Sequence, residues 1–319
     1  MTTAEGRVGV TLPFDDVPLA GHRPLLRALV EAGYREVWTG EVDALDGFGP
    51  LALFCGREDA LTISCATASV FTRGPGVLAM TAATLAEVAP GACRFGIGAG
   101  SPVLAETWNG VPFEAPYRRT VDAFRLSRTV DGPPKLLLGV AGPRMQDFAA
   151  AEADTMALNF LSPEDVARIR DRVSTVERVL PTPLETAVRV VLLPREGPGA
   201  ERAARPFLAG YLTVPTYAAF QRWLGREAVL GPMNAAWAAG DRRAAVAAIP
   251  DEVLHDLVVF GSSANCAASV ERYLERGADV VTIALVPDPD AEAPEARVEF
   301  LAALTQASGV ARSKGTLAS

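Results

Sequence analysis

Short apolar runs alternate with helix-length amphipathic segments along nearly the whole chain, and this alternation restricts the fold more than any single motif. The runs at residues 8–12, 36–40, 62–70, 94–99, 135–139, 155–159, 186–193 and 280–285 are too short for helices. They are rich in Val, Ile, Leu and Thr, as strands buried on both faces are. Helical spacing of apolar residues recurs between them, at 19–32, 49–56, 76–89, 114–126, 143–151, 163–178, 263–276 and 291–307. A strand, a helix and another strand make a parallel crossover. Eight such units in 319 residues predict one α/β domain over 1–319, a (β/α)8 TIM barrel in preference to a doubly wound sheet. Residues 194–276 exceed what one crossover needs, and helical patterns at 201–225, 227–239 and 241–248 mark a helical elaboration after the seventh strand. The connection before the fifth strand, Ser127 to Pro134, is short.

Composition narrows the function. A hydrophobic content of 49% supplies a large core. A net charge of -8 with no basic block argues against a nucleic-acid partner, because phosphate binding draws on clustered Lys and Arg. The N-terminal residues lack the pattern of a signal peptide and no apolar run is long enough to cross a bilayer, so no membrane partner and a cytoplasmic location are expected. Cys55, Cys65, Cys93 and Cys266 show no CxxC spacing and are expected to be buried thiols. With only two histidines, His22 and His255, neither in a hydrolase or metalloprotease motif, no metal site is expected.

The densest signal lies in residues 61–101, two strands joined by one helix. In a parallel barrel ligands lie beyond the carboxyl ends of strands, here 68–72 and 98–101. Both ends consist largely of small residues, which leaves room for a flat ligand near the backbone. Gly96, Gly98 and Gly100 suggest a dinucleotide loop, but the third glycine of that fingerprint falls on Ser101 and no acidic residue follows the next strand. A tight turn and a backbone cradle for a ring or phosphate both remain open. Glu41 follows the second strand, where a carboxylate can accept a proton or bind a substrate; a helix-terminal charge or a solvated ion pair is the plain alternative. Arg73 precedes a helix start at Gly74-Pro75. Gly139, Gly142, Pro143 and Arg144 stand where another strand meets a helix, a place suited to an anion or to an ordinary loop. Trp38, Trp108, Trp223 and Trp237 are read as packing residues.

At these residues the chain resembles the luciferase-like monooxygenase family, and within it the branch that uses the deazaflavin coenzyme F-420. The matching segments are Gly33-Tyr34 with Val37 to Glu41, Ser69-Val70 with Thr72 to Pro75, Ala83 to Leu85, Arg94 to Gly100, Glu106 to Gly110, Gly142 to Arg144 and Phe260 to Ser262. The resemblance implies a barrel whose C-terminal mouth holds a flavin-type ring against a backbone bulge with a non-prolyl cis peptide, expected at Ser69-Val70. It implies that Thr67, Ser69, Val70, Thr72, Gly98, Ala99, Gly100 and Ser101 lie along the cofactor and that Gly139, Gly142, Pro143 and Arg144 lie near its phosphate. The activity it implies is hydride transfer between coenzyme F-420 and a small organic substrate, with Glu41 as acid or base. An FMN-dependent relative is the first alternative. A cofactor-free homologue that binds a ligand or catalyses a rearrangement is the second. Family barrels often pair, and apolar helices here permit a homodimer. The chain departs from the family pattern at Val42 and Asn109, where histidines are common, at Thr155, and in the short segment before the fifth strand, where a lid is usual.

Overall fold

The computed structural model describes residues 6–41, 45–55, 61–286 and 293–308. Ten parallel strands form one sheet: β1 (Arg7–Thr11), β2 (Glu36–Thr39), β3 (Thr62–Cys65), β4 (Ala68–Ser69), β5 (Cys93–Gly98), β6 (Lys135–Gly139), β7 (Thr155–Asn159), β8 (Glu185–Leu193), β9 (Val258–Phe260) and β10 (Val280–Leu285). The order runs β10-β1-β2-β3-β5-β6-β7-β8, and β10 also pairs with β8 along Val280↔Ala187 to Leu285↔Leu192. The sheet therefore closes on itself as the expected (β/α)8 barrel. Closure removes both sheet edges.

Helices cover the outside where the periodicity places them, including His22–Glu31, Pro75–Val88, Pro116–Arg128, Pro143–Glu152, Pro163–Val173 and Ser263–Glu275. Proline occupies a first-turn position in several of them, where the missing N–H costs no hydrogen bond. Ser162 caps the helix that follows it through a reciprocal pair with Asp165, closing two otherwise orphaned donors.

Two expectations need correction. The third strand is not continuous over 62–70. Ser64 pairs with Arg94 and Ala68 with Ile97, so Cys65, Ala66 and Thr67 stand opposite only Phe95 and Gly96, a one-residue bulge. The non-prolyl cis peptide is Ala66-Thr67, not Ser69-Val70. Ser69 and Val70 are held in the regular ladder, Ser69 opposite Gly98 and Val70 N donating to Gly98 O at 3.0 Å; the extra residue has no place there.

After β8 come the helices Pro198–Leu212, Pro215–Trp223, Glu227–Ala238, Arg242–Ala247 and Asp251–Leu257, then β9. The last helix and β9 carry no clear sequence signal, since each is very short. Val258 to Phe260 pair with Val191 to Leu193, the part of β8 beyond its pairing with β7. These helices pack on a second apolar cluster built from Phe160, Val191, Leu193, Leu208, Leu212 and Leu254.

Candidate active site at the barrel mouth

The barrel interior is stacked in layers. At its N-terminal end Arg94, with a side chain only 2% exposed, bonds Glu36 at 3.0 Å and Glu185 at 2.8 Å. Arg7 pairs with the same two carboxylates, and Thr155 donates to Glu185 at 3.0 Å. Two arginines and two glutamates neutralise one another. Arg94 and Arg7 hold the Glu185 carboxyl below its usual range against the opposing effect of burial. Above this layer Trp38, Leu137, Ala187 and Val280 form an apolar plug. Gly9 admits the indole, since a Cβ there would stand 2.9 Å from Trp38 Nε1.

The mouth begins above the plug, and the glycines singled out in the sequence are arranged around the bulge. A Cβ on Gly96 would collide with the Cys65 carbonyl, and one on Gly98 with Thr67 Oγ1. On the neighbouring strand a Cβ on Gly139 would lie 2.9 Å from Thr67 Cγ2. The three glycines thus make the space into which residues 65–67 fold, and they bring Thr67 to the centre of the mouth, half-buried. The Cys65 thiol beneath the bulge is pushed well above its usual range by burial and, after that, by the nearby Glu41 charge. Cys93 and Cys266 are likewise buried and raised to about 12 by desolvation, while Cys55 is half-buried.

Ser69 clamps two strand ends together: its hydroxyl donates to Ala99 O at 3.1 Å and accepts from Phe71 N at 3.1 Å. Gly100 turns through φ +71° beside it, and Ser101 accepts from Leu104 N at 3.2 Å to start a π-helical turn, Val103–Trp108. Glu41 faces this wall from the end of β2. It accepts hydrogen bonds from Thr72 Oγ1 at 2.8 Å and Gly47 N at 3.2 Å and forms an ion pair with Arg73, its own side chain 8% exposed. Arg73 in turn lies 4.9 Å over Phe48. Both oxygens of Glu41 are therefore engaged, and it joins the loop after β2 to the start of the helix Pro75–Val88.

Gly142 is the N-cap of the helix Pro143–Glu152, with open space around the place of a Cβ. Arg144 is exposed and stacks 3.8 Å from the Tyr117 ring centroid, without a hydrogen bond or ion pair among the described residues. The structure thus brings Thr67, Ser69, Val70, Thr72, Gly98, Ala99, Gly100, Ser101 and Glu41 to one wall. Gly139, Gly142, Pro143 and Arg144 follow on the adjacent strand.

A family model described as luciferase-like monooxygenase matches residues 3–280. The chain belongs to the luciferase-like monooxygenase family. Among curated relatives, one from Mycobacterium tuberculosis (strain ATCC 25618 / H37Rv), named "Putative coenzyme F420-dependent oxidoreductase", is 25% identical over 298 residues, covering 76% of this chain and 84% of that protein. Among solved structures, an F420-dependent secondary alcohol dehydrogenase in complex with an F420-acetone adduct superposes with a TM-score of 0.74 at 14% identity, over 95% of this chain and 99% of that one. The EDTA monooxygenase of Chelativorans sp. BNC1 gives 0.68 at 12% identity, over 97% and 96%. At such identities these structures share the fold with this luciferase-like barrel.

Two of the departures from the luciferase-like pattern have structural roles here. Asn109 closes the π-helical turn by donating to Leu104 O at 2.6 Å. Thr155 belongs to the buried charge layer. Val42 lies outside the described residues.

The other side of the mouth carries no motif in the sequence. Arg189 follows Glu185 and Ala187 at period two along β8 and so faces inward, with Asn159 of β7 and Thr282 of β10 at its register positions. Tyr217, brought in by the helix Pro215–Trp223, accepts from Asn159 Nδ2 at 3.4 Å, and burial pushes its phenol upward. Alternation of polar residues inside an otherwise apolar strand was the available signal.

Proposed function

We propose that the chain is an oxidoreductase that passes a hydride between deazaflavin coenzyme F-420 and a small organic substrate at the C-terminal mouth of its barrel. The observation that carries this is the bulge of residues 65–67 folded onto Gly96, Gly98 and Gly139. It forms a wall low in side-chain bulk beside a helix start that carries an exposed arginine, Arg144. The Mycobacterium tuberculosis relative and the alcohol dehydrogenase with its F420-acetone adduct favour the deazaflavin over FMN; FMN is the alternative to be tested.

The residues present fit such a cofactor. Thr67, Ser69, Val70 and Thr72, with Gly98, Ala99, Gly100 and Ser101, supply the wall for the ring. Gly139, Gly142, Pro143 and Arg144 supply an open helix N-terminus and a positive charge for the anionic tail. A deazaflavin supplies two-electron hydride chemistry at a ring carbon. Glu41, held by Thr72, Arg73 and Gly47, keeps the wall in register and is the candidate acid or base. The two-copy assembly also stands as a proposal, resting on Val77, Met80 and Val88 exposed along one helix.

Titration of the full chain with oxidised F-420, followed by the cofactor's fluorescence, tests the assignment. Saturable change unaffected by equimolar FMN supports it. Binding of FMN alone transfers the chain to the flavin alternative, and binding of neither removes both and leaves the cofactor-free reading.

A further inference from the structure

The barrel interior treats its arginines in two ways. Arg7 and Arg94 at the closed end are matched by Glu36 and Glu185. Arg189, two residues above Ala187 on the same face of β8, makes no hydrogen bond or ion pair among the described residues. The apolar plug of Trp38, Leu137, Ala187 and Val280 lies between it and the glutamates below. It is half-buried and flanked by neutral polar groups, Asn159 on one side and Thr282 on the other. The Thr282 hydroxyl meets that of Thr11 at 3.3 Å, and the Tyr217 hydroxyl meets the Asn159 amide. A half-buried guanidinium with no carboxylate partner, set over an apolar floor, favours an anion, which it binds by charge-assisted hydrogen bonds, and hydroxyls and an amide beside it add donors for an oxyanion. Nothing in this set of described groups suits a cation.

Position decides which anion. β8 is the seventh strand of the closed ring and the bulged strand is the third, so Arg189 stands across the mouth from Thr67. The anionic tail of the cofactor has its place two strands round from the bulge, at Gly142 to Arg144. We infer that Arg189, with Asn159 and Thr282, receives an oxyanion group of the substrate, carboxylate or phosphate, so that this enzyme acts on small organic anions. This rests on the redox function proposed above for the identity of the occupant as substrate.

Isothermal titration of the full chain, without cofactor, with malonate, inorganic phosphate and the neutral isostere malonamide tests it. Expected is saturable binding of at least one anion and none of malonamide, weakened about tenfold or more by Arg189→Gln and less by Arg189→Lys. F-420 affinity should stay within about twofold in the same variants, whose folding is checked by circular dichroism. No anion binding to the wild type, or equal binding to Arg189→Gln, overturns the site. A tenfold loss of F-420 affinity in Arg189→Gln overturns its assignment to substrate and gives the arginine to the cofactor. Arg189-dependent anion binding in a chain that binds neither F-420 nor FMN would keep the anion site and remove the redox function; F-420 binding without anion binding would do the reverse.

Discussion

Gly96 lies directly beneath the Cys65 carbonyl, whose oxygen occupies the place that a Cβ would take. The obstacle is backbone, fixed by the bulge, and cannot rotate away as a side chain can. Gly96→Ala should therefore cost at least about 3 kcal/mol, the upper part of the range for overpacked cores. Gly76→Ala is the control: Gly76 sits in the helix Pro75–Val88 with nothing near its missing Cβ, and the change should be neutral or stabilise by about 0.5–1 kcal/mol. Urea unfolding of the two variants measures the difference.

Removing Arg94 strands Glu36 and Glu185 with only the more exposed Arg7. Arg94→Ala is expected to destabilise by about 3–5 kcal/mol, as the loss of one partner from a buried ion network does. Arg118→Ala breaks an ion pair of 3.6 Å whose side chains are 84% and 64% exposed, and chemical denaturation should show a change of about 0.5 kcal/mol or less.

His22 is fully buried and accepts the Phe14 N–H at 2.7 Å through Nε2, so its other nitrogen carries the proton toward Pro18 O at 3.3 Å. Burial lowers its pKa below the ordinary histidine value of 6.5. The unfolded chain therefore binds the proton more readily, and the stabilisation is complete above pH 6.5 and is lost as pH falls toward the folded value. Thermal midpoints between pH 7.5 and 5.5 should decline in the wild type. His22→Gln should flatten that decline, because the carboxylates titrate lower.

The barrel was legible because each strand and helix is specified locally, by runs of apolar residues and by proline at helix starts. The glycines were legible as a place where something approaches the backbone; that the visitor is Thr67 was not, because the bulge depends on pairing across β5. The same limit hid the charge layer. Arg7, Arg94 and Glu185 are far apart in sequence and meet only when β10 closes the ring against β8. Arg189 is inconspicuous because its strand is otherwise an apolar run typical of a strand buried on both faces. The last short helix and β9 offer too few residues for any period to show.

Glu41→Gln and Arg73→Met remove the same ion pair from opposite ends. If Glu41 positions the wall, both should lower turnover by a similar factor, about tenfold, with an unshifted pH profile and F-420 affinity changed less than about threefold. A larger loss for Glu41→Gln alone, with one limb of the pH profile removed, would instead make Glu41 the proton carrier.

The most direct measurement is hydrogen exchange of the full chain with and without saturating F-420. Protection is predicted at amides in residues 66–72, 98–101 and 144–145, with the helices Glu227–Ala238 and Arg242–Ala247 unchanged. Bound F-420 that leaves those three segments unprotected would contradict the placement of the site on the bulged wall.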